Sequence, residues 1–425
     1  MNFTKKVRDI LTILVASVLM AGLGFFINNT TGPKQSGQLG GPDGLSEFGV
    51  EISCPPGTIF VDLPTAIINR ESACGLDLGL AKDRANIPLD EVWTLSELRF
   101  LNISSRSMLG EFPEGLRNLK HLEVLSVSYS DLTRLPTWIG ELENLKYLMV
   151  DGNFLTELPS EIGDFQDLVI LRASSNNLVG LPESIGGLEQ LKELDVSNNK
   201  LESLPETIGK LDSASTVFLH ANQLGALPDS FSNLHSLENL RIDGNPMNTI
   251  PPVVTQNAKI KTLVVGGNEF VSIPKEIGDM RNLESFAIIN SGTEFIPDEI
   301  RGLSSLKSFT LDEAPVKTLP SSIGELKNLE VISVSTTEIE TIPDVFSGFN
   351  NLRRVTLFNN RIGNVPESLL SLPHLEYLEI GDRYLDQDDK VFIESRLSDS
   401  VLFSWVDLSG ENAPLGVSPD SSHQD

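Results

Sequence analysis

The sequence predicts an α/β solenoid, because one pattern of apolar residues recurs every 23 residues through most of the chain. The period runs from Leu119 to Leu372 without a slip, and 372 − 119 = 253 = 11 × 23. A fixed period of this length indicates units that stack and share one continuous core. The repeats begin at Leu119, Leu142, Phe165, Leu188, Leu211, Leu234, Asn257, Met280, Leu303, Leu326 and Phe349.

Each repeat contains its own strand and return segment. Apolar residues fall at offsets 0, 3, 6, 8, 13, 16 and 20 from the first residue of the repeat. Offsets 5 to 9 alternate outward and inward, as Tyr147 to Asp151 do, which predicts a short parallel strand. The following L-P-x-x-I-G predicts an irregular or 3-10 return segment, because proline fixes φ and lacks a hydrogen-bond donor.

An asparagine ladder accompanies these strands. Asn occupies offset 11 in six successive repeats, from Asn153 to Asn268. Its amide can bond backbone groups of its own repeat and of the neighbouring one. Later repeats have Ser291, Ala314 and Thr337 at this position. We therefore expect the array to be locally least stable between Ser291 and Thr337.

The runs LPSEIGDFQDLVILRASSN and LPESIGGLEQLKELDVSNN carry the pattern of a leucine-rich repeat. Over about Leu95 to Leu385 the chain resembles the repeats of Ras-binding scaffolds, plant intracellular Ras-group-related proteins and many bacterial surface proteins. The resemblance implies a horseshoe with a parallel, concave β-sheet and an irregular or 3-10 convex side. It also implies a binding protein without catalysis. The matched residues belong to the inward scaffold, so they do not identify a partner.

The sequence outside the repeats predicts a targeting segment and two caps. Lys5, Lys6 and Arg8 precede Ile10–Ile27, which contains no charge, as in a signal anchor or a cleaved signal peptide. After Asp386, acidic residues precede an apolar-spaced run, which predicts a helix start in a cap resembling the helix–strand caps of bacterial leucine-rich-repeat proteins. The predicted domains are 1–27 (signal anchor or signal peptide), 28–50 (flexible linker), 51–94 (N-terminal cap), 95–385 (repeats), 386–406 (C-terminal helix–strand cap) and 407–425 (disordered tail).

Cys54 and Cys74 are the only cysteines, and both precede the repeats. A solenoid in a reducing compartment usually has free cysteines scattered through its core. Their confinement to one short segment favours a disulfide that closes the N-terminal cap. Two free thiols are the alternative.

Composition and motifs argue against nucleic-acid binding and against catalysis. Lys plus Arg is 32 and Asp plus Glu is 59, a net charge of −27, which repels nucleic acid and anionic lipid. The histidines have no metal-ligand spacing. Ser304-x-x-Lys307 lacks the partner motifs of a serine nucleophile. We therefore predict no enzyme, no metal, no cofactor and no small-molecule substrate.

The candidate binding residues occupy outward positions of the repeat strands, where packing of the core does not dictate the residue type. Exposed aromatic residues beside arginine are typical of an interface hot spot, although strands also tolerate scattered aromatics on a solvated face. We place Tyr147, Met149, Arg172 and Phe218 at the centre. The full set is Tyr129, Tyr147, Met149, Asp151, Arg172, Asp195, Phe218, His220, Arg241 and Asp243.

Two functional hypotheses follow. The first is an extracytoplasmic protein, membrane-anchored at the cell envelope or surface or else secreted, that recognises a protein or peptide on the concave face. The second is an intracellular scaffold that binds small GTPases of the Ras type. The apolar N-terminus and the paired cysteines favour the first.

Overall fold

The computed structural model describes residues 54–55, 57–79, 89–105, 110–267, 269–381, 383–398 and 400–406. The predicted signal segment, the linker and the C-terminal tail lie outside these described residues. Within them, no helix is long and apolar enough to cross a membrane. The chain divides into two compact units, Met1–Gly266 and Gly267–Asp425, called unit 1 and unit 2 below. The domain boundaries predicted from the sequence stay predictions.

Unit 1 is built on parallel strands that pair in chain order. Equal repeat offsets lie opposite each other, so Tyr147 of one strand pairs with Ile170 of the next. The predicted span of offsets 5 to 9 is too long, because each strand from β3 to β9 covers only offsets 5 to 7. Backbone pairing nevertheless continues, as in the 2.9 Å bond from Gly152 N to Ser174 O. The strands are β1 (Ile59–Phe60), β2 (Gly75–Asp77), β3 (Phe100–Asn102), β4 (Val124–Ser126), β5 (Tyr147–Met149), β6 (Ile170–Arg172), β7 (Glu193–Asp195), β8 (Thr216–Phe218), β9 (Asn239–Arg241) and β10 (Thr262–Gly267).

The return segments are short 3-10 helices, as predicted. Proline precedes most of them in an extended conformation, as Pro159 does with φ of −67°. Two repeats have a short α-helix instead, α2 (Pro252–Thr255) and α3 (Glu367–Leu370). The 3-10 helices are Val92–Thr94, Glu114–Asn118, Thr137–Glu141, Ser160–Asp164, Glu183–Gly187, Glu206–Lys210, Asp229–Asn233, Lys275–Asp279, Asp298–Gly302, Ser321–Glu325 and Phe346–Gly348.

The core lies between the strands and the return segments. Leu148, Leu171 and Leu194, all at offset 6, are fully buried. Burying one such side chain stabilises the fold by roughly 2 kcal/mol. The apolar repeat pattern therefore encodes the core directly.

The asparagine ladder makes the predicted bonds. Asn153 Oδ1 accepts from Ser130 N (2.9 Å) and Leu132 N (3.0 Å) of the preceding repeat. Its Nδ2 donates to Val127 O (2.8 Å) of that repeat and to Val150 O (2.9 Å) of its own. One buried amide thus satisfies backbone groups that a tight turn would leave unpaired. The last predicted member, Asn268, lies outside the described residues.

The N-terminal cap contains the predicted disulfide. Cys54 is bonded to Cys74, with Cα atoms 5.6 Å apart and a sequence separation of 20. Helix α1 (Leu63–Ile68) begins at Asp62, whose side chain accepts from Thr65 N. The disulfide therefore ties the start of the described chain to the residue just before β2.

Unit 2 contains longer strands where the ladder asparagine is missing. β11, β12 and β13 are each seven residues long and reach offset 11. Ala314 and Thr337, both at that offset, lie opposite each other in the ladder. The strands are β11 (Ser285–Ser291), β12 (Ser308–Ala314), β13 (Val331–Thr337), β14 (Arg354–Leu357), β15 (Tyr377–Gly381) and β16 (Leu402–Val406).

The C-terminal cap is a helix followed by the last strand. Helix α4 (Gln387–Arg396) starts in a capping box, in which Asp386 accepts from Asp389 N and Asp389 accepts from Asp386 N. β16 pairs in parallel with β15, and Trp405 Nε1 donates to Glu394 Oε1 of the helix at 2.8 Å. The acidic residues after Leu385 therefore form a helix N-terminus, as the sequence predicts.

Candidate binding face

The open face of the sheet consists of the side chains at offsets 5, 7 and 9, which point away from the core. Short parallel strands in register place equal offsets of successive repeats side by side, roughly 4.8 Å apart. Residues 23 positions apart in sequence thus become neighbours on one surface. Most of the predicted binding residues lie on this face in unit 1.

An apolar stripe crosses the open face at its N-terminal end. Phe100, Val124 and Met149 form a buried cluster, and Ile59 and Tyr147 pack against it while half-buried. The sequence-based set included Tyr147 and Met149 but missed Phe100 and Val124. Both missed residues occupy offset 5 of their repeats, so the repeat alignment itself could have identified them.

Packing in this stripe changes the role predicted for Met149. Its side chain is only 6% exposed, because it packs in the cluster with Phe100 and Val124. The expected exposure of Met149 was therefore wrong, and its part in a binding site stays a prediction. Gly75 makes the close packing possible, since a Cβ there would lie 2.9 Å from Ile59 Cγ1.

Tyr129 lies apart from the other candidates. It stands at offset 10, beyond the end of β4, with a positive φ of 54°. Its ring lies against the backbone of Gly152, where a side chain would collide with it. The ring is 61% exposed, but it belongs to the turn and not to the open face.

The predicted charged residues are already paired with one another or with neighbours. Arg172 Nε lies 2.6 Å from Glu193 Oε1 on the adjacent strand. Arg241 reaches Asp243 through two contacts, of 2.8 and 3.2 Å. Glu193 was missed by the sequence reasoning, although it occupies offset 5 beside β6. Both arginines of the predicted set are therefore already engaged by carboxylates of the same face.

Two aspartates on the face are held by serines. Asp151 accepts from Ser174 N (2.9 Å) and Ser174 Oγ (2.8 Å), and Asp195 accepts from Ser197 N (3.0 Å) and Ser197 Oγ (2.6 Å). Burial raises the pKa of both carboxyl groups above the usual value, while the serine bonds oppose that rise. These bonds give both aspartates a role in the local structure of the face.

A pocket of about 160 Å³ opens on the same face. Four predicted residues line it, namely Asp195, Phe218, His220 and Arg241. Phe218 and His220 meet edge to face, with ring centroids 6.4 Å apart. Sequence reasoning missed four lining residues, all from the next two strands, because they are aliphatic or small polar side chains: Asn239, Leu240, Thr262 and Val264.

His220 is the unusual group in this pocket. Its Nδ1 is buried and has no hydrogen-bond partner among the described residues. Burial, and next the charge of Arg241, lower the pKa of the imidazole from its usual value, which favours the neutral ring. A neutral ring with one unpaired nitrogen can bond a ligand group that is itself uncharged.

Metal chemistry finds no support in the described ranges. Nowhere in them do three His, Cys, Asp or Glu side chains come together in a group that could hold a metal ion. The pocket combines a partly enclosed apolar volume with one unpaired nitrogen, His220 Nδ1. This arrangement suits the binding of a ligand group.

Comparison with known proteins agrees with the observed repeat. The family described as leucine-rich repeat region matches residues 74–175 and 139–217. A second family, the leucine-rich repeats of leucine-rich repeat and WD repeat-containing protein 1, matches residues 179–268. No curated protein sequence matches the chain.

Solved structures share the fold. A leucine-rich-repeat protein of Leptospira interrogans is 26% identical with a TM-score of 0.61, covering 81% of this chain and 99% of that one. A plant peptide hormone receptor, RGFR1, in complex with RGF2 has a TM-score of 0.53 at 23% identity, covering 75% and 57%. A complex of TLR13 with ssRNA13 has a TM-score of 0.55 at 20% identity, covering 70% and 49%.

The last two likenesses concern the fold alone, and the narrower resemblance to Ras-binding scaffolds is not confirmed. The period of 23 residues, the parallel strands it builds and the matched families nevertheless agree with one another. On these grounds the chain is a leucine-rich-repeat protein.

Proposed function

We propose that unit 1 binds a protein or peptide partner on its open face, and that one partner side chain enters the pocket beside Phe218 and His220. The observation that carries this proposal is a preformed pocket on a face whose arginines are already paired with carboxylates. Leucine-rich repeats are typically non-catalytic interaction scaffolds, which fits a binding role.

Energetic considerations favour the pocket as the centre of the proposed binding site. Paired groups such as Arg241 and Asp243 gain little from a new partner, because their charges are already satisfied. Apolar insertion into a pocket supplies most of the energy at an interface centre. Since Met149 is buried in the apolar stripe, the centre moves from Tyr147 and Met149 towards Phe218 and His220.

The pocket also favours one kind of inserted side chain. Its volume of about 160 Å³ suits a single large side chain, and Phe218 supplies an aromatic wall. The unpaired Nδ1 of His220 favours a group with a hydroxyl, because a hydroxyl bonds either tautomer of a neutral imidazole. A tyrosine of the partner meets both requirements.

The structure of a plant peptide hormone receptor in complex with RGF2 offers a precedent for ligand binding by this fold. At 23% identity it does not indicate where a ligand sits on this chain. The TLR13–ssRNA13 complex is a precedent for an RNA ligand. The net charge of −27 speaks against RNA here, because its phosphates would be repelled.

A matched pair of phenylalanines tests the site. Peptides selected from a displayed random library on the full-length protein are measured against Phe218→Ala and Phe154→Ala. Phe154 belongs to the same unit and is 54% exposed, but it stands at offset 12, off the open face. We expect Phe218→Ala to weaken binding by about 2 kcal/mol and Phe154→Ala to have no effect. Equal losses in both variants would place the site elsewhere.

The protein is also proposed to act outside the cytoplasm, membrane-anchored or secreted. Support comes from the Cys54–Cys74 disulfide, since such bonds persist in oxidising compartments. The basic residues before the uncharged segment 10–27 point the same way. Protease added to intact cells should digest the repeats. Protection of the repeats until the cells are lysed would favour the intracellular scaffold hypothesis.

A further inference from the structure

Four buried polar atoms without a protein partner lie together on the open face of unit 2. They are Ser308 Oγ, Thr310 Oγ1 and Asp312 Oδ1 on β12, and Ser335 Oγ on β13; within the described residues none of them has a hydrogen-bond partner. These four residues are named the polar strip. Buried polar groups in folded proteins are nearly always paired, so a group of four requires an explanation.

The strip is one continuous surface. Ser308, Thr310 and Asp312 stand two residues apart on one strand and so share a face. Asp312 lies opposite Ser335 in the strand ladder, roughly 4.8 Å away across the sheet. Thr310 is 8% exposed and Ser335 is 2% exposed. Both hydroxyls are thus held in place by packing.

Other unpartnered hydroxyls in the described chain differ from these. Those of Ser184, Thr207, Ser230 and Ser322 recur at the same position of the 3-10 segments, and that of Thr293 stands alone just after β11. No carboxylate accompanies them in the set of unpartnered atoms. The polar strip is set apart by combining hydroxyls with a carboxylate.

Asp312 carries a negative charge that this part of the protein does not balance. Thr336 donates a side-chain hydrogen bond to the carboxyl group, and the neighbouring Glu313 adds a second negative charge. Burial, and next the charge of Glu313, raise the pKa of Asp312 to about 6. Within the described ranges no ion pair involves either residue, whereas Asp243 in unit 1 is paired with Arg241.

We propose that the polar strip binds an alkylammonium group, the lysine side chain of a basic segment in a partner protein. An ammonium has three donors and no acceptor, so it can bond Asp312 Oδ1 and two hydroxyl oxygens at once. Its charge balances that of Asp312. An anionic ligand would be repelled by the Asp312 carboxylate, and the net charge of −27 attracts a basic partner from a distance.

A calcium ion fits the strip less well. Calcium takes six to eight oxygen ligands and usually several carboxylates, whereas the strip provides one carboxylate. The site is independent of the pocket in unit 1. Loss of ammonium binding would therefore leave the proposed peptide site intact.

The test uses the full-length protein and acetyl-pentalysine amide as the probe, titrated at pH 7.5 and about 150 mM salt, where long-range attraction is screened beyond about 8 Å. We expect Asp312→Asn to weaken binding about tenfold, which corresponds to loss of a charge-assisted bond. Ser335→Ala should weaken it about threefold by removing one hydroxyl acceptor. Glu313→Gln, the matched control with the same charge change on an exposed neighbour, should weaken it less than twofold.

The alternatives give different results. Equal losses in Asp312→Asn and Glu313→Gln would show general attraction to an acidic protein and overturn the proposal. Equal affinity for the same peptide with acetylated lysines would exclude an ammonium site. Binding of a maltooligosaccharide that competes with pentalysine and is lost in Asp312→Asn would assign the strip to sugars. Asn is nearly isosteric with Asp, so a cooperative melting transition at or above the wild-type temperature confirms that the variant is folded.

Discussion

The repeats of unit 1 with a ladder asparagine and the repeats of unit 2 without one satisfy the backbone groups after the strand in different ways. In unit 1 the named strands β3 to β9 end at offset 7, and an amide such as that of Asn153 bonds the turn that follows. In unit 2 the strands β11 to β13 run to offset 11. Backbone pairing there takes the place of the amide.

The hydroxyl residues at offset 11 add only part of what asparagine provides. Thr337 Oγ1 donates to Asn360 Oδ1 at 2.7 Å and accepts from Ile339 N at 3.2 Å. Ser291 accepts one longer bond, of 3.4 Å, from Thr293 N. Losing asparagine therefore does not leave the backbone unpaired, because the strand continues.

The open faces of the two units also differ. In unit 1 the acidic side chains are held by serines or arginines, as in the 2.8 Å contact between Arg241 and Asp243. In unit 2 four side-chain oxygens of the polar strip, Asp312 Oδ1 among them, have no hydrogen-bond partner within the described chain. The described open face of unit 1 thus has one buried unpartnered side-chain atom, His220 Nδ1, whereas that of unit 2 has the four atoms of the polar strip.

The largest predicted effect comes from removing a ladder amide. Asn153→Ala should destabilise the protein by about 3 kcal/mol, because it leaves several buried backbone groups unpaired. Ser291→Ala should cost less than about 1 kcal/mol, since its single bond is long. Urea denaturation followed by circular dichroism measures both. Equal costs would mean that the amide and the extended strand are not alternative solutions.

The next effect concerns the N-terminal cap of unit 1. Cys54→Ser should destabilise the cap by about 3 kcal/mol, because the disulfide closes a loop with a sequence separation of 20. Solenoid repeats interact chiefly with their neighbours, so β11 to β13 should keep their hydrogen-exchange protection while β1 and β2 lose theirs. Loss of protection in both units would show that the array unfolds as one block.

A smaller effect distinguishes the carboxylates of the two units. Asp312→Asn should stabilise the protein at pH 7.5 by on the order of 1 kcal/mol, because the buried charge opposes folding there. Its melting temperature should therefore be higher than that of the wild type. The folded pKa of about 6 exceeds the unfolded one, so wild-type stability rises as pH falls through about 6. The advantage of the variant should therefore disappear below about pH 4.

Asp195→Asn is the control in unit 1. Ser197 donates two hydrogen bonds to the Asp195 carboxylate, and an amide replaces this pair of acceptor interactions poorly. We expect no gain in melting temperature at pH 7.5. A gain as large as that of Asp312→Asn would show that the serine bonds do not offset burial.

The smallest effect is expected in hydrogen exchange along the array. The sequence alone predicted the least protection between Ser291 and Thr337. Because β11 to β13 pair through offset 11, we now expect the amides there to be protected about as well as those of β5 to β9. Clearly faster exchange at Ala314 and Thr337 would restore the sequence-based expectation.

The sequence by itself determined the scaffold. The inward residues recur with a strict period, so the repeat pattern alone assigns Leu148 and Leu171 to the core, where both are fully buried. The ladder asparagines, the proline-led return segments, the helix start at Asp386 and the Cys54–Cys74 bond were predictable for the same reason. Each depends on local chemistry or on a spacing that repeats.

Only the tertiary structure decided which outward residues remain available. Met149 is buried by Phe100 and Val124, Arg172 is paired with Glu193, and the pocket needs Asn239 and Val264 from adjacent strands. The physical reason is that exposure and pairing on the open face depend on side chains one or more repeats away. The sizes and charges of these side chains follow no period. Their contacts across neighbouring repeats are therefore visible only in the three-dimensional structure.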